Sequence, residues 1–293
     1  ASNADNAGVT PPQPNVWANP LLRSLVVDEA RASKTMVDIL QGYGAVPDPR
    51  LTLILSKSQA WVQGKDGAEE WKGVPNGLPV TELSLPEYDN NHNSCIWGYM
   101  WGYDWNSAEK GDNISKPKTD ADFTPLGLMN YSEVCFLKAE AALRGWQGAG
   151  DAKTNYENGI RASFEEMRAN APKDSYSKSN DDKYISEGNV AWNNADSFEA
   201  KLEKIITQKW IGIYPNSEEA WAEFRRTGYP KLNPVKQSLE PTINPKNGEF
   251  IKKLRYVANE LSNNKEYATD PTLNGGQGDG LSVRVWWDTA RYK

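Results

Sequence analysis

The sequence has few of the side chains on which most enzyme mechanisms and metal centres depend. Among its 293 residues there are two cysteines, Cys95 and Cys135, and one histidine, His92. One disulfide is possible, but a multi-bridge framework or a cysteine-rich zinc site is excluded. A serine–histidine or cysteine–histidine mechanism would depend on His92, which lies in a run of Asp and Asn that is typical of an exposed loop.

Long apolar runs and an excess of basic residues are also missing. No segment approaches the ~18 consecutive apolar residues that a membrane-spanning helix requires. The 33 Lys and Arg against 39 Asp and Glu give a net charge of -6, which argues against a nucleic-acid partner. The chain begins at Ala1 without an initiator Met, a signal peptide or a lipid-accepting cysteine, which predicts a processed or trimmed product.

What the sequence does have is an unusual share of amphipathic aromatic residues. It contains 12 Trp and 13 Tyr but only 6 Phe, although only 38% of all residues are hydrophobic. Trp and Tyr each combine a flat apolar ring with one hydrogen-bonding atom. This composition is typical of surfaces that bind polar ligands with apolar faces, such as sugars.

The spacing of apolar residues predicts a helical hairpin in the middle of the chain. One helix is expected over residues 131–144 and a second, after a glycine-rich turn, up to about residue 169. Gly159 inside the second helix costs about 1 kcal/mol relative to Ala, which indicates close helix packing. Two such helices have roughly tetratricopeptide dimensions. The residues predicted to face inward are Val134, Cys135, Leu137, Ala141, Tyr156, Ile160, Phe164 and Met167.

Further helices are predicted on either side of the hairpin. Ser33 is expected to cap a short helix that runs to Leu40. Residues 170–194 are predicted to form a polar loop, followed by a helix that an Asp196–Glu199 capping box begins. A last helix is expected from a cap at residue 216 to residue 228. The predicted fold class is mainly α, a tetratricopeptide-like helical hairpin scaffold of the α–α superhelix type with a long irregular loop-rich region.

Several separate blocks, in order along the chain, resemble the SusD/RagB family. The segment YSEVCFLKAEA at residues 131–141 is similar to the family's Y-x-E-x-x-x-L-x-A-E-A helix. The most specific block combines IITQKWIG, NSEEAW and RRTGYP, which begin at residues 205, 216 and 225. The other similar segments are SKTMVD at 33–38, DPRL at 48–51, LRY at 254–256 with Glu260 and Asn263, and WWD at 286–288.

The resemblance implies a non-enzymatic, cell-surface nutrient-binding lipoprotein of the outer membrane of Bacteroidetes. Such proteins capture oligosaccharides, or sometimes peptides, for a SusC-like TonB-dependent transporter, without a cofactor. Membrane attachment would occur only through a lipidated N-terminus that is absent from this chain. Family members are longer, so residues 1–293 are expected to form a single SusD-like domain that is incomplete at its N-terminus. It would contain a loop-rich ligand-binding region at 15–128, a helical scaffold at 129–230 and an irregular C-terminal region at 231–293 packed on the scaffold.

The candidate ligand-binding residues are aromatic side chains of the loop-rich region. The strongest cluster alternates with other residues over positions 97–105, so an extended chain would place all five rings on one face. That face would be either a ligand platform or a buried edge packed on the helices. Two more candidates flank a polar loop at 63–67. The complete set is Trp97, Tyr99, Trp101, Tyr103, Trp105, Trp61 and Trp71.

Other charged and aromatic residues have a structural interpretation beside a functional one. Glu133 and Glu140 could form a glycosidase pair, but their place on a scaffold helix favours a solvated or ion-paired face. Arg225 and Arg226 are expected to form ion pairs with nearby glutamates. The remaining tryptophans of the helices and of the C-terminus are expected to be packed. These tryptophans are Trp210, Trp221, Trp286 and Trp287. Separately, the oxygen-bearing side chains of Asp89, Asn90, Asn91 and Asn93 are weak candidates for calcium ligands, because their spacing matches no EF-hand loop.

Three functions therefore remain open from the sequence. The first is a glycan-binding protein with no catalytic and no metal-binding residues. The second is a protein-interaction scaffold of the uptake complex that binds peptides or no ligand by itself. The third is a glycoside hydrolase, for which the sequence offers no convincing carboxylate pair.

Overall fold

The computed structural model describes residues 1–9, 31–95, 126–169 and 178–288, and these are mainly α-helical and irregular. An antiparallel pair of short strands, β1 (Ala7–Val9) and β2 (Leu126–Met129), joins the N-terminus to the middle of the chain. None of the helices in these ranges is long and apolar enough to cross a membrane. The helices are α1 (Lys34–Leu40), α2 (Leu51–Ile54), α3 (Gln59–Val62), α4 (Val80–Leu83), α5 (Tyr131–Leu143), α6 (Ala152–Ala169), α7 (Asp181–Ser186), α8 (Phe198–Gly212), α9 (Ser217–Thr227), α10 (Ala258–Asn263), α11 (Lys265–Ala268) and α12 (Leu273–Gly276).

The predicted hairpin is formed by α5 and α6, and α8 packs against both helices. Gly145 and Gly150 in the connecting turn have φ angles of 77° and 84°, which glycine adopts without steric cost. The predicted close approach at Gly159 is confirmed. A Cβ atom there would lie only 2.7 Å from Cε1 of Phe136, whose side chain is fully buried. The glycine therefore lets the two helices approach each other across the Phe136 ring.

Helix ends follow local capping, with one correction to the predicted caps. Ser33 accepts a hydrogen bond from the backbone N–H of residue 36, as predicted for the start of α1. The predicted Asp196–Glu199 box is wrong, because Ser197 caps α8. Asp196 instead forms an ion pair with Lys204 at 2.6 Å. A carboxylate one residue before the cap is thus used for a side-chain contact with the next turns of the helix.

Two further predictions about the scaffold are wrong. On α5, Leu137 is 40% exposed, whereas Glu133 and Glu140 are buried. The inward face of α5 is thus partly charged, which apolar periodicity cannot reveal. The predicted loop at 170–194 contains α7 in its described part, where Tyr184 and Ile185 are buried. This short polar helix is specified by tertiary contacts of those two side chains more than by its own sequence.

The described core consists of two hydrophobic clusters, and helices α6 and α8 contribute to both. The first contains Ala32, Met36, Val37, Ile39, Leu40, Leu51, Leu53, Ile54, Leu55, Met167 and Ile211. The second contains Phe136, Ala139, Tyr156, Ile160, Phe164, Tyr184, Ile185, Leu202, Ile205, Ile206 and Tyr229. Near the C-terminus of α6, Phe164 belongs to the second cluster and Met167, three residues later, to the first, so this helix connects the segment at 32–55 with the hairpin.

A buried polar network connects the elements that carry the two clusters. Arg50 is fully buried and forms a two-point ion pair with Asp48, at 2.9 Å from Nε to Oδ1 and 2.6 Å from Nη2 to Oδ2. Its Nη1 donates to the hydroxyl of Ser163 on α6 at 3.1 Å. The hydroxyl of Tyr184 donates to Asp48 at 2.7 Å and accepts from Gln208 on α8 at 2.9 Å. One Arg–Asp pair thus ties together α6, α7 and α8.

A second buried network lies among α5, α8 and α9. Lys209, whose side chain is 2% exposed, lies 2.7 Å from Glu219 and 3.3 Å from both Glu133 and Glu223. Glu223 also pairs with Arg226 at 2.7 Å. The charged side chains that face inward from α5 and α8 are therefore compensated inside the scaffold.

Glu166 on α6 is a carboxyl group whose burial opposes ionisation. Burial raises the pKa of Glu166 from 4.5 to about 7, although a hydrogen bond from Asn6 lowers it in part. A folded-state pKa above the unfolded value means that this group favours folding at acid pH and loses that contribution as pH rises through 7. We therefore expect Glu166→Gln to stabilise the protein at pH 8 by at most roughly 3 kcal/mol and to have little effect at pH 5.

Urea denaturation of the Glu166→Gln variant at pH 5, 6, 7 and 8 measures this effect. Glu165→Gln is the matched control, because that neighbouring carboxyl group is exposed. An equal change in stability at all four pH values would contradict the assignment of the raised pKa to Glu166.

Candidate functional site

The loop-rich segment between residues 56 and 95 is held to α1 by backbone hydrogen bonds. Ala32 donates to the carbonyl of Ser94 at 2.7 Å, and Lys34 donates to that of Val74 at 2.8 Å. Gly73 is required at its position, because a Cβ atom there would lie 2.5 Å from Cα of Lys34. The loops are thus fixed on the first core cluster, although they contain little regular structure.

Trp61 is half-buried on α3. Ser58 caps α3 by accepting a hydrogen bond from the N–H of Trp61 at 3.3 Å, and its hydroxyl donates to the carbonyl of Glu69. Lys57 places its ammonium group 4.8 Å from the centre of the Trp61 ring and 3.1 Å from Glu70. The indole therefore has a cation on its ring, and that cation is itself paired with a carboxylate.

Trp71, the second candidate in the described loops, has a different environment. Its half-buried ring packs against the first core cluster. The segment that carries it is joined to that of Trp61, since the N–H of Ser58 donates to the carbonyl of Glu70 at 2.9 Å. Trp71 thus packs on the core cluster, whereas the described contact of the Trp61 ring is with Lys57.

The five aromatic residues predicted as a platform, Trp97, Tyr99, Trp101, Tyr103 and Trp105, lie outside the described residues. The described chain reaches Cys95, which is buried and lies 3.0 Å from the hydroxyl of Ser56. The one possible disulfide, between Cys95 and Cys135, is not formed.

The loop that contains His92 is closed by its own side chains. Asp89 accepts hydrogen bonds from the backbone N–H and the ring Nδ1 of His92, each at 2.8 Å. Partial burial raises the pKa of the Asp89 carboxyl group, but the hydrogen bonds from His92 outweigh it and keep the pKa below its usual value. The buried amide of Asn93 donates to the carbonyls of Glu87 and Asp89. Within the described ranges no group of three or more His, Cys, Asp or Glu side chains is arranged to bind a metal ion.

One of the two C-terminal tryptophans differs from its predicted packing. Trp286 is 91% exposed, so the prediction that it is packed is wrong. The guanidinium of Arg225 lies between two other rings, 3.7 Å from the centre of Trp221 and 4.9 Å from that of Trp287. Trp287 and the buried Asp288 anchor the segment. The side chain of Trp286, just before them, is directed to solvent.

Glu133 and Glu140, the carboxylates of the possible glycosidase pair, form ion pairs inside the scaffold. Glu140 is bound by Arg226 at 2.6 Å and by Arg144 at 2.8 Å. Burial raises the pKa of Glu140, but the hydrogen bonds and charge of Arg226 outweigh this effect and lower it. Burial raises the pKa of Glu133, which the nearby Lys209 only partly offsets. The ion-paired interpretation is therefore confirmed, whereas neither carboxylate faces solvent as a solvated surface residue would.

Sequence reasoning missed a cavity of about 340 Å³ between α8 and the turn that follows α1. Tyr43 and Val46 from that turn line one wall. Glu203, Lys204 and Thr207, which follow each other along one face of α8, line another. Its remaining lining comes from Ile39, Gly42, Tyr156, Tyr184, Glu187, Asn189, Val190, Ala200, Gln208, Pro230 and Lys231. The only available sequence signal was a tyrosine between two glycines at 42–44.

Comparison with known proteins decides the family. The model of the SusD-like family, described as SusD and RagB outer-membrane lipoproteins, matches residues 1–288. The chain belongs to the SusD-like family. A search of curated proteins finds no match.

Solved structures of family members share the fold. A chitin-binding SusD homologue from Flavobacterium johnsoniae is 30% identical, with a TM-score of 0.68 and coverage of 98% of this chain and 55% of that chain. A SusD homologue from Bacteroides ovatus ATCC 8483 is 28% identical, with a TM-score of 0.73 and coverage of 98% and 57%. One from Bacteroides vulgatus ATCC 8482 is 27% identical, with a TM-score of 0.72 and coverage of 100% and 55%.

These findings confirm the family resemblance and the mainly α, tetratricopeptide-like fold class. The family is one of outer-membrane lipoproteins, which places this SusD-like protein at the outer membrane. The chain spans only slightly more than half the length of the similar solved proteins.

Proposed function

We propose that this SusD-like protein binds oligosaccharides at the cell surface without cleaving them and delivers them to a SusC-like TonB-dependent transporter. The observation that carries the proposal is the 30% identity, over 98% of the chain, to a homologue that binds chitin. The ligand is a glycan, and chitin oligosaccharides are the first to test.

The loop-rich region, predicted at 15–128, is the proposed place of binding. Trp61 supports this proposal, because its half-buried indole lies 4.8 Å from the ammonium group of Lys57, which also pairs with Glu70. A pyranose offers apolar C–H groups to such a ring and hydroxyl groups to the charged neighbours. Trp97, Tyr99, Trp101, Tyr103 and Trp105 remain the further proposed ligand-binding residues.

We also propose that the protein does not hydrolyse the glycans that it binds. This proposal is supported by the burial and ion pairing of Glu133 and Glu140, since a glycosidase requires two carboxyl groups on either side of a sugar bond in an open cleft. Long incubation with polysaccharide is expected to release no new reducing ends, and their appearance would favour the hydrolase instead.

Alanine substitution of the proposed loop tryptophans tests the binding site. We expect Trp61→Ala and Trp101→Ala each to weaken chitotetraose binding roughly 5- to 30-fold, because loss of a stacked ring costs about 1–2 kcal/mol. Both variants should keep a thermal midpoint near that of the wild type. Trp71→Ala, in contrast, is expected to lower the thermal midpoint, because this ring packs on the core.

Isothermal titration with a panel of glycans measures these affinities. Trp146→Ala is the matched control, because Trp146 is 68% exposed but lies in the turn between α5 and α6. Silence of the wild type toward every glycan, with retained co-purification of the transporter, would instead support the protein-interaction scaffold. Precipitation of Trp101→Ala would identify that ring as core and place the site elsewhere.

A further inference from the structure

Tyr43 has a backbone conformation that residues other than glycine rarely adopt. Its φ and ψ angles are 51° and 38°, and the flanking Gly42 and Gly44 have φ angles of 65° and 84°. Glycine enters this left-handed region without steric cost, whereas a bulky side chain is a genuine outlier there. Strained residues of this kind concentrate at functional sites, where the surrounding structure maintains them.

Burial in the core does not account for the presence of an aromatic ring at this position. Tyr43 is 64% exposed, so its ring gains little from the hydrophobic effect. A glycine would satisfy the same turn with less strain. The side chain is instead placed at the wall of the 340 Å³ cavity, together with Val46 and Val190.

Polar groups around the ring make the cavity suited to a polar ligand with apolar faces. Glu203 forms an ion pair with Lys231 at 2.8 Å, and the amide of Asn189 lies 3.4 Å from the carbonyl of Gly42. Partial burial, followed by the negative charges of Asp38 and Glu203, raises the pKa of Tyr43. The phenol therefore keeps its proton and can donate a hydrogen bond.

The volume of the cavity limits the size of its ligand. About 340 Å³ lies at the lower end of the range for small-molecule sites, roughly 300–1,000 Å³. A purely apolar ligand would cover Glu203 and Lys231 without offering them hydrogen bonds, which is costly. A sugar unit fits both requirements, because it has an apolar face for the Tyr43 ring and hydroxyl groups for Glu203, Thr207 and Asn189.

We propose that the Tyr43 cavity is a second glycan-binding site, separate from the tryptophan loops, which holds a single pyranose unit against the Tyr43 ring. This inference rests on the proposed function, since it assigns a second place of binding to the same class of ligand. No bond is broken at this site, and its role is to add an anchoring point for the glycan.

Titration of the isotope-labelled chain with chitotetraose and, separately, with maltotetraose tests the proposal by nuclear magnetic resonance. The backbone amide signals of Gly42, Gly44 and Asn189 are expected to shift with one of these sugars. Tyr43→Gly should weaken the binding that these signals report at least tenfold, and its thermal midpoint should equal or exceed that of the wild type. Tyr267→Ala is the matched control, because Tyr267 is 55% exposed but does not line the cavity.

The possible outcomes separate this inference from the proposed function. A glycan that binds the wild type but leaves all three amide signals unmoved overturns the cavity site alone. Failure of both sugars to bind anywhere overturns the cavity site together with binding at the tryptophan loops. Should Tyr43→Gly unfold, Glu203→Gln replaces it, since this variant keeps the ring and is expected to weaken the same binding; unchanged binding there would refute the site.

Discussion

Replacement of Arg50 by methionine is expected to lower the free energy of unfolding by about 3–5 kcal/mol, because removal of one partner from a buried ion pair leaves the other charge uncompensated. Asp48 is 2% exposed and would lose both hydrogen bonds from the guanidinium. Ser163 would lose its hydrogen bond from Nη1 of Arg50, and Gln208 would lose its hydrogen bond from Nη2. Methionine fills much of the space, so the loss reports on charge and hydrogen bonding more than on a cavity.

The measurement is urea denaturation followed by circular dichroism. Arg161→Met is the matched control, because Arg161 lies on α6 and pairs with Asp182 at 2.7 Å while both side chains are largely exposed. Such a surface pair contributes about 0–1 kcal/mol. A loss below about 1 kcal/mol in Arg50→Met, equal to the control, would show that the network does not hold the helices together.

A paired substitution separates the charge effect from simple packing. In the double variant Asp48→Asn with Arg50→Met, neither of these two positions carries a charge. The side-chain carbonyl of the asparagine can still accept hydrogen bonds. Replacement of a whole buried pair is often close to neutral, unlike the removal of one partner. The double variant is therefore expected to be more stable than Arg50→Met alone. Additive losses from the two substitutions would argue against coupling between the two residues.

Apolar periodicity predicted the apolar stripe of α6. On α6, Tyr156, Ile160, Phe164 and Met167 are all buried as their spacing indicated. The cap at residue 216 and the left-handed Gly228 at the end of α9 also followed from local sequence, since both depend on backbone geometry within a few residues. These features are specified by contacts inside one element or across one simple interface.

Charged residues of the interior could not be assigned in the same way. Glu133 and Lys209 have the composition of surface positions, and only the folded chain brings them within 3.3 Å of each other. Leu137, which is predicted to face inward, is 40% exposed, whereas Glu133 on the same helix is buried. Long-range pairing therefore overrides the local pattern.

The candidate site was predictable only in part for a similar reason. Aromatic composition indicated sugar binding in general, but the burial of each ring depends on its neighbours. Trp71 packs on the core, Trp61 is half-buried beside Lys57, and Trp286 projects into solvent. The strain at Tyr43 is a backbone property, and a tyrosine between two glycines does not specify it without the turn that follows α1.

Substitution of Lys209 by methionine is the second change with a large expected effect. It removes a single ammonium group that pairs with three carboxylates within 4 Å, those of Glu133, Glu219 and Glu223. Glu133 is buried and pairs with Lys209, whereas Glu223 keeps its pair with Arg226, so the uncompensated charge of Glu133 is expected to cost about 3–5 kcal/mol of stability at pH 7. Lys204→Met is the matched control, because Lys204 lies on the same helix and pairs with the single carboxylate of Asp196.

The loss in Lys209→Met is also expected to depend on pH, and its sign follows from the carboxylates. Burial already raises the pKa of Glu133 in the wild type, and Lys209 acts in the opposite direction. Without the lysine, the folded-state pKa of Glu133 moves further above its unfolded value, so the carboxyl group favours folding below that unfolded value and opposes folding as pH rises through the folded one. The difference in stability between wild type and variant should therefore be smaller at pH 5 than at pH 8, as measured by urea denaturation at both values. If Lys209→Met lost the same stability at pH 5 as at pH 8, the loss would come from packing of the lysine side chain. Protonation of Glu133 at low pH relieves an uncompensated charge, but it does not restore lost packing.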